Sequence, residues 1–415
     1  MSSRRNFLLQ SAAAVAAVAL PKWSAATRQP DNYDLQLSNA KSIMGLDSNI
    51  VYLNNGTMGP SPKPVVDAML DGLQDVTQRG LYGRRKQEAI DSLAAYFGVA
   101  ADTIGITHST TEGINMMAQG LKLKAGDEVI ITDQEHVGNA APWLYRAQQS
   151  KLVIRSFSLG NTAEQTLAAI KKLITAKTKV IAVPHITCTN GQVLPIKAIC
   201  ALAKAKNITT CIDGAHTAGM LDVNLADLGC DFYAGCCHKW LLAAQGTGYF
   251  YARPGSVGKI KQVFLGAEGI KEFETSKGTG TLTMREVTGH NFMLGTQSGA
   301  LLSSVTAATQ LFQNYGKANV EQYVKGLTQY FYEGLKAIGN DIQILTPEEK
   351  QSRAAITSFR FKKADTKKLW TELQNDGIIT RYVPESNLNA IRVSTHIYNT
   401  EQQLNDLLKR IRAFK

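Results

Sequence analysis

The chain has 415 residues, 44% hydrophobic and 19% charged, with 34 Gly and 11 Pro. That length points to two domains, or to one large domain with a smaller companion, and that composition excludes a disordered, collagen-like or coiled-coil protein. Six cysteines exclude a disulfide-dense scaffold, and the formal net charge of +11 contains no run of five basic residues, so it reads as solubility and attraction to anionic ligands, not as a nucleic-acid surface.

The chain begins with what reads as an address. Ser3-Arg4-Arg5-Asn6-Phe7-Leu8 precedes an apolar, Ala-rich run from Ser11 to Leu20, and Ser24-Ala25-Ala26 supplies small residues in an A-x-A-like pattern. This is the layout of a charged n-region, a short h-region and a cleavage site. The apolar run is too short to span a bilayer. The SRRxFL pattern resembles a twin-arginine signal, which serves proteins exported already folded, often with a cofactor bound. The expectation is a signal over residues 1–26 read by the twin-arginine export machinery, an N-terminal segment over 27–55, a periplasmic location and no stable membrane anchor. The other reading is an N-terminal helix of the mature fold.

From about residue 50 to 300, short apolar runs alternate with helical periodicity. Val129–Thr132 follows the turn Ala125-Gly126-Asp127-Glu128 and reads as a strand; Lys179–Val183, Thr209–Ile212 and Asp231–Ala234 read the same way, while 162–175 and 196–206 fit helices. The pattern predicts an α/β fold with a mainly parallel sheet between helices, over residues 56–300. Ligands bind outside the carboxyl ends of strands in such sheets. From Leu301 to about Ile338 a long helical stretch leads into short strands such as Ala355–Phe361. A final helix follows, with Asn399-Thr-Glu-Gln402 as a capping box and Leu404, Leu407, Leu408 and Ile411 as its apolar face. A smaller α+β domain is expected over 301–415.

Three segments carry chemistry. Thr107-His-Ser-Thr-Thr-Glu-Gly113 contains the capping box Ser109-x-x-Glu112 and so starts a helix. Helix N-termini favour phosphate, and Thr110 and Thr111 add hydroxyls, although a capped helix without ligand has the same sequence. Asp213 ends an apolar strand and is followed by Gly214-Ala215-His216. It reads as a carboxylate that keeps a pyridine nitrogen protonated, or as an N-cap. Lys239, in Cys237-His238-Lys239-Trp240, follows another strand. Desolvation there makes an amine nucleophilic toward aldehydes, although a lone lysine is otherwise a surface charge. The cysteines (188, 200, 211, 230, 236 and 237) lack C-x-x-C spacing, and no H-E-x-x-H or paired Cys/His pattern occurs. The thiols read as small buried hydrophobes, and no metal site is signalled.

The order of these elements resembles the class V aminotransferase group of fold-type I pyridoxal phosphate (PLP) enzymes. Asp213-Gly-Ala-His216, then Lys239 in His238-Lys-Trp-Leu241, with Ser109-Thr-Thr-Glu-Gly-Ile-Asn115 ahead of them, carry the resemblance. The resemblance implies that Lys239 forms the Schiff base with PLP and moves the substrate's Cα proton, that Asp213 pairs with the pyridine nitrogen, and that His136 stacks on the ring. It gives His216 to the phenolic oxygen and Thr110, Thr111 and His238 to the phosphate. Thr296, in Leu294-Gly-Thr-Gln297, resembles the segment that reaches the neighbouring subunit's cofactor, which implies a homodimer with shared sites. Arg392 matches the arginine that forks onto a substrate α-carboxylate, with Arg381 a second candidate, and Asn55 falls in an entrance loop, Asn54-Asn55-Gly56-Thr57.

The stretch Tyr382–Ile391 has no Cys where cysteine desulfurases carry a catalytic one, and Cys188 and Cys236 stand where relatives have polar residues. The resemblance leans toward the isopenicillin N epimerase-like branch. It implies an exported enzyme that transaminates or epimerises an amino acid or peptide amine, with the tailoring of a secondary metabolite as one setting. The alternatives are a desulfurase or selenocysteine lyase-like enzyme, and a periplasmic binding protein without catalysis.

Overall fold

Strands with no polar face form where the sequence runs through Val, Ile, Cys and Ala without interruption. In the computed structural model, which describes residues 40–414 apart from 81, 82, 277, 279, 286, 287 and 294, these runs become the middle of a seven-stranded sheet. The expected signal at 1–26 lies outside the described residues. The strands are β2 (Ile104–Thr107), β3 (Glu128–Thr132), β4 (Val153–Phe157), β5 (Thr178–Pro184), β6 (Thr209–Asp213), β7 (Phe232–Cys236) and β8 (Gly248–Ala252). Every residue of β6 and β7 is buried, as a strand covered on both faces requires. The order is β2-β8-β7-β6-β5-β3-β4, and only β8 runs against the rest. The sheet is therefore mainly parallel, as expected. The strands not singled out from sequence are β2, β4 and β8. The last two mix aromatic or charged residues into the apolar run, which blurs the pattern.

Helices α1 (Lys63–Arg79), α2 (Gly83–Phe97), α3 (Thr110–Gly120), α4 (Val137–Ser150), α5 (Ala163–Leu173), α6 (Ile196–Lys204) and the single turn α7 (Leu225–Leu228) join or cover these strands. Ile114 and Met117 of α3 and Trp143 of α4 bury against Val129, Val180, Phe232 and Phe250 of the sheet. Right-handed β–α–β crossovers leave the strands' carboxyl ends open to one side. A short strand β1 (Val51–Tyr52) precedes α1, and a hairpin, β9 (Ile270–Glu274) with β10 (Thr281–Met284), follows β8.

The stretch expected as one long helix after 301 is two: α8 (Gly299–Tyr315) and α9 (Lys317–Lys336). Gly316 separates them with φ +78°, a left-handed conformation that continues no α-helix. Next come β11 (Ile342–Ile344), β12 (Ile356–Phe361), α10 (Thr366–Asn375), β13 (Ile378–Ile379), β14 (Arg381–Val383), β15 (Ala390–Ser394) and α11 (Glu401–Ala413). They build an antiparallel sheet ordered β11-β12-β15-β14, while β13 pairs with β1. The capping box of α11 sits one residue later than expected, with Thr400 and Gln403 as its pair. Asn399 is engaged elsewhere, its amide donating to the Tyr52 carbonyl at 2.9 Å. Leu404, Leu407, Leu408 and Ile411 are buried, as their spacing predicts. Gly334 of α9 leaves no room for a Cβ against Leu408, which lets the two helices close up. Among the described residues, no helix is long and apolar enough to cross a membrane.

Truncating Leu408 to alanine removes one side of that contact. We expect Leu408→Ala to lower unfolding free energy by about 2–5 kcal/mol, read as a shifted denaturant midpoint at constant slope.

Candidate active site

Five strand ends of the large sheet converge on one cavity of about 260 Å³. Thr110 and Thr111 follow β2, His136 and Gly138 follow β3, Cys188 follows β5, Asp213 and His216 belong to the end of β6, and Cys236, His238 and Lys239 belong to the end of β7; all line it. Arg381 and Arg392 enter from the other sheet, where β14 and β15 set them directly opposite each other. Cross-strand partners point to one face, so two guanidiniums stand side by side over the cavity.

One end of the cavity is built for an anion. Ser109 caps α3 by accepting from the Glu112 amide at 3.2 Å. Glu112 does not complete the reciprocal box expected from sequence; its carboxylate accepts from the His108 amide at 2.6 Å. The Thr110 hydroxyl is buried without a formed hydrogen bond, although it lies close enough to the Cys236 thiol to favour the thiolate. Burial raises the Cys236 pKa, but His238, Lys239 and Thr110 outweigh it and draw it below the ordinary thiol range. Burial lowers that of His238, but Cys236 and the Thr247 carbonyl, which accepts from Nδ1 at 3.2 Å, raise it overall. An orphaned buried hydroxyl at a helix N-terminus beside an imidazole whose pKa is raised fits a phosphate.

The middle of the cavity fits a protonated aromatic heterocycle. Asp213 is buried, and its carboxylate accepts from the Ala215 amide at 2.9 Å through Oδ1. Burial holds its pKa above the usual carboxylate range despite Lys239 and His136 nearby. A cationic N–H would restore the charge. His136 is kept neutral, chiefly by burial and then by Lys239, and its Nδ1 accepts from the Gly138 amide at 3.0 Å. The His216 ring touches Lys239, with Nε2 3.4 Å from Nζ.

At the far end, Arg392 is 2% exposed, and among the described residues no carboxylate pairs with it. Its Nη1 donates to the Cys188 carbonyl at 2.8 Å and Nη2 to Thr57 Oγ1 at 2.8 Å, while Nε is buried without a partner. Burial, with Arg381 alongside, pulls its pKa down to about 10. Unpaired buried charge is costly, so the site is poised for an incoming carboxylate. Arg381 is paired with Glu385, four residues on. Asn55 does not line the cavity: its amide donates to the Lys239 carbonyl at 3.3 Å and its oxygen accepts from Tyr398 at 2.8 Å. Gly56 and Thr57 line it instead. Nothing in the sequence alone separates Thr57 from the polar neighbours beside it. His185 also stands back from the cavity, with Nδ1 hydrogen-bonded to the Tyr233 hydroxyl at 2.9 Å. Thr296 lines a separate cleft with Lys86, Glu268 and His290.

This fold and this cavity define a fold-type I PLP-dependent enzyme. The chain belongs to the class V aminotransferase family, whose sequence model matches residues 51–407. It is similar to isopenicillin N epimerase of Amycolatopsis lactamdurans, 29% identical over 90% of this chain and 98% of that protein. It is also similar to cysteine desulfurase of Yersinia pestis, 28% identical over 86% and 92%. Among solved structures it resembles a mutant of C-DES with glycine covalently linked to its PLP cofactor, at TM-score 0.82 and 25% identity over 92% of this chain and 99% of the other. The cystine C–S lyase C-DES with its product cysteine persulfide gives TM-score 0.81 at 25% identity, over 88% and 98%. PLP supplies, when bound, an electron sink for charge that develops at the substrate Cα.

Two outcomes test the site. Thr110→Val keeps shape but removes the orphaned hydroxyl, and should weaken PLP binding about tenfold in an absorbance titration. Burial raises Glu135 from 4.5 to about 8, against hydrogen bonds from Asn139 and the Thr132 amide. Between those values the folded chain holds a proton that the unfolded chain releases. This contribution is therefore full below the lower value and lost as pH rises through the upper one. The unfolding midpoint should fall between about pH 5 and 8, and less steeply in Glu135→Gln.

Proposed function

We propose that this enzyme acts on the free amino group of an amino acid or a peptide that carries an α-carboxylate beside it, and moves the proton at Cα, giving epimerisation or transamination. The observation that carries this reading is Arg392, a buried guanidinium without a carboxylate partner among the described residues, in the same cavity as Lys239. A carboxylate on Arg392 orients the substrate, and Lys239 takes and returns the proton. The likeness to isopenicillin N epimerase supports epimerisation. A carrier that only holds its ligand has no use for a lysine, a buried aspartate and an electron sink together.

The second reading is a C–S lyase, supported by the likeness to C-DES and to cysteine desulfurase. The loop between β14 and β15 speaks against persulfide chemistry on a mobile thiol. It has no Cys, and its Ser386, Asn387 and Asn389 take left-handed conformations (φ 52°, 55° and 47°). It is pinned by the Arg381–Glu385 pair, by Tyr382 Oη on Asn389 at 2.6 Å and by Arg360 Nη1 on the Leu388 carbonyl at 2.9 Å. Of the cavity thiols, burial pushes Cys188 up, away from thiolate, and Cys236 belongs to the phosphate end.

The reading includes a twin-arginine signal at residues 1–26, a periplasmic location and a homodimer. Two features support the dimer. Val66, Leu70 and Leu73 leave an exposed apolar row on α1, and Thr296 faces away from the chain's own cavity. Secondary-metabolite tailoring is the setting that the epimerase likeness favours.

The purified protein should show a visible cofactor band that borohydride fixes to Lys239 and that Lys239→Ala lacks. Amino acids and short peptides incubated in D2O should gain deuterium at Cα, with an inverted centre or a keto acid as product. Arg392→Ala should lose about 100-fold in kcat/KM. Sulfide release from cysteine or cystine without Cα inversion or keto acid would favour the lyase instead. Arg4→Lys with Arg5→Lys should keep the protein out of the periplasmic fraction.

A further inference from the structure

Lys239 and Trp240 are consecutive residues that address the two nitrogens of one ring. Lys239 Nζ is 3.4 Å from His216 Nε2, and Trp240 Nε1 is 3.1 Å from His216 Nδ1. An indole N–H can only donate, so His216 Nδ1 must offer a bare lone pair. A neutral imidazole with a bare Nδ1 carries its proton on Nε2. His216 is 3% exposed, and burial, with Lys239, Arg392, His136 and Arg381 facing it, keeps it neutral. No carboxylate among those groups supports an imidazolium, and the indole occupies the place a second proton would take.

The indole itself is fixed. Trp240 is fully buried, its carbonyl accepts from His396 Nε2 at 2.6 Å, and its ring packs against the His396 ring with centroids 5.5 Å apart. Gly219, at φ +86°, lies so close to the Trp240 carbonyl that a Cβ would not fit there.

We propose that Trp240 is a positioning residue that locks His216 as the Nε2–H tautomer, so that this imidazole can only donate into the active site. Toward Lys239, such an imidazole presents an N–H and no lone pair to Nζ, 3.4 Å away. Toward a bound cofactor, it would supply a hydrogen bond to an oxygen anion. Only the second role rests on the function proposed above; the tautomer belongs to the cofactor-free chain.

The test starts with nitrogen-15 NMR of histidine-labelled, cofactor-free protein, with the His216 signals assigned by their loss in His216→Gln. The expected result is an unprotonated, hydrogen-bonded Nδ1 and a protonated Nε2. A protonated Nδ1 in the wild type overturns the proposal, whether or not any variant folds. In Trp240→Phe, which keeps a ring and loses the N–H, the Nδ1–H form should appear; an unchanged spectrum overturns the proposal. The rate at which added PLP develops its visible band should fall about tenfold in Trp240→Phe. His216→Gln supplies an amide donor that needs no tautomer, so adding Trp240→Phe to it should cost little more. If the indole matters as much in that background as in the wild type, it acts by packing alone and the lock is refuted. A wild type that never develops the band defeats the proposed function and leaves the NMR result standing.

Discussion

The lysine of this site is held by its backbone before its side chain does anything. Three consecutive carbonyls, those of His238, Lys239 and Trp240, each accept a hydrogen bond from a distant part of the chain. The donors are the Gly59 amide at 2.9 Å, Asn55 Nδ2 at 3.3 Å and His396 Nε2 at 2.6 Å. Gly59 can come this close because it has no Cβ to meet the Lys239 carbonyl. The entrance loop, the end of β7 and the segment after β15 are thus tied at one point. Losing a donor would leave a buried carbonyl unpaired, which costs more than the bond itself is worth. The Tyr398 hydroxyl steadies Asn55 in turn. Preorganisation of Lys239 is therefore spread over residues far apart in sequence, none of which needs to touch substrate.

Electrostatics divides the cavity in a way that suits a ligand with two anionic ends. His238 and the α3 N-terminus lie at one end and Arg381 with Arg392 at the other; Asp213 sits between them. The net charge of +11 is spread along the chain, and its functional share is the few cations that the fold gathers here. The Arg381–Glu385 pair reduces the field at the carboxylate end. Arg392 therefore stands as the cation with the stronger demand for an anion, because burial has stripped it of solvent.

Much of this was legible in the sequence for a physical reason. Strands buried on both faces are written as uninterrupted apolar runs, so β3, β5, β6 and β7 stood out, and the rule that chemistry sits after such strands led to Asp213 and Lys239, while His136 came from the family resemblance. Asp213 and Lys239 are recognisable because a charge at the end of an apolar strand has to be explained. The structure corrects finer points that depend on conformation. One glycine splits α8 from α9, the cap of α11 shifts from Asn399 to Thr400, and Glu112 turns to His108. Thr57 and the backbone clamp were not legible. Their roles come from contacts between segments hundreds of residues apart, and a threonine or glycine in a loop looks the same whether or not a guanidinium lies over it.

What the chain can do at Cα follows from what it keeps still. A persulfide route needs a thiol that swings to the substrate, and the β14–β15 turn is tied at several points and carries none. The two cavity thiols are buried in the walls, Cys188 on the segment whose carbonyl Arg392 uses and Cys236 beside Thr110. Neither can travel without breaking the arginine site or the phosphate cup. Proton movement asks for much less. Lys239 is half-buried on a long aliphatic stem, next to an imidazole whose orientation the protein fixes. On the proposed function, a rigid carboxylate clamp with one mobile base is an arrangement in which the proton can travel while the substrate stays in place, and that favours chemistry that begins at the Cα–H bond.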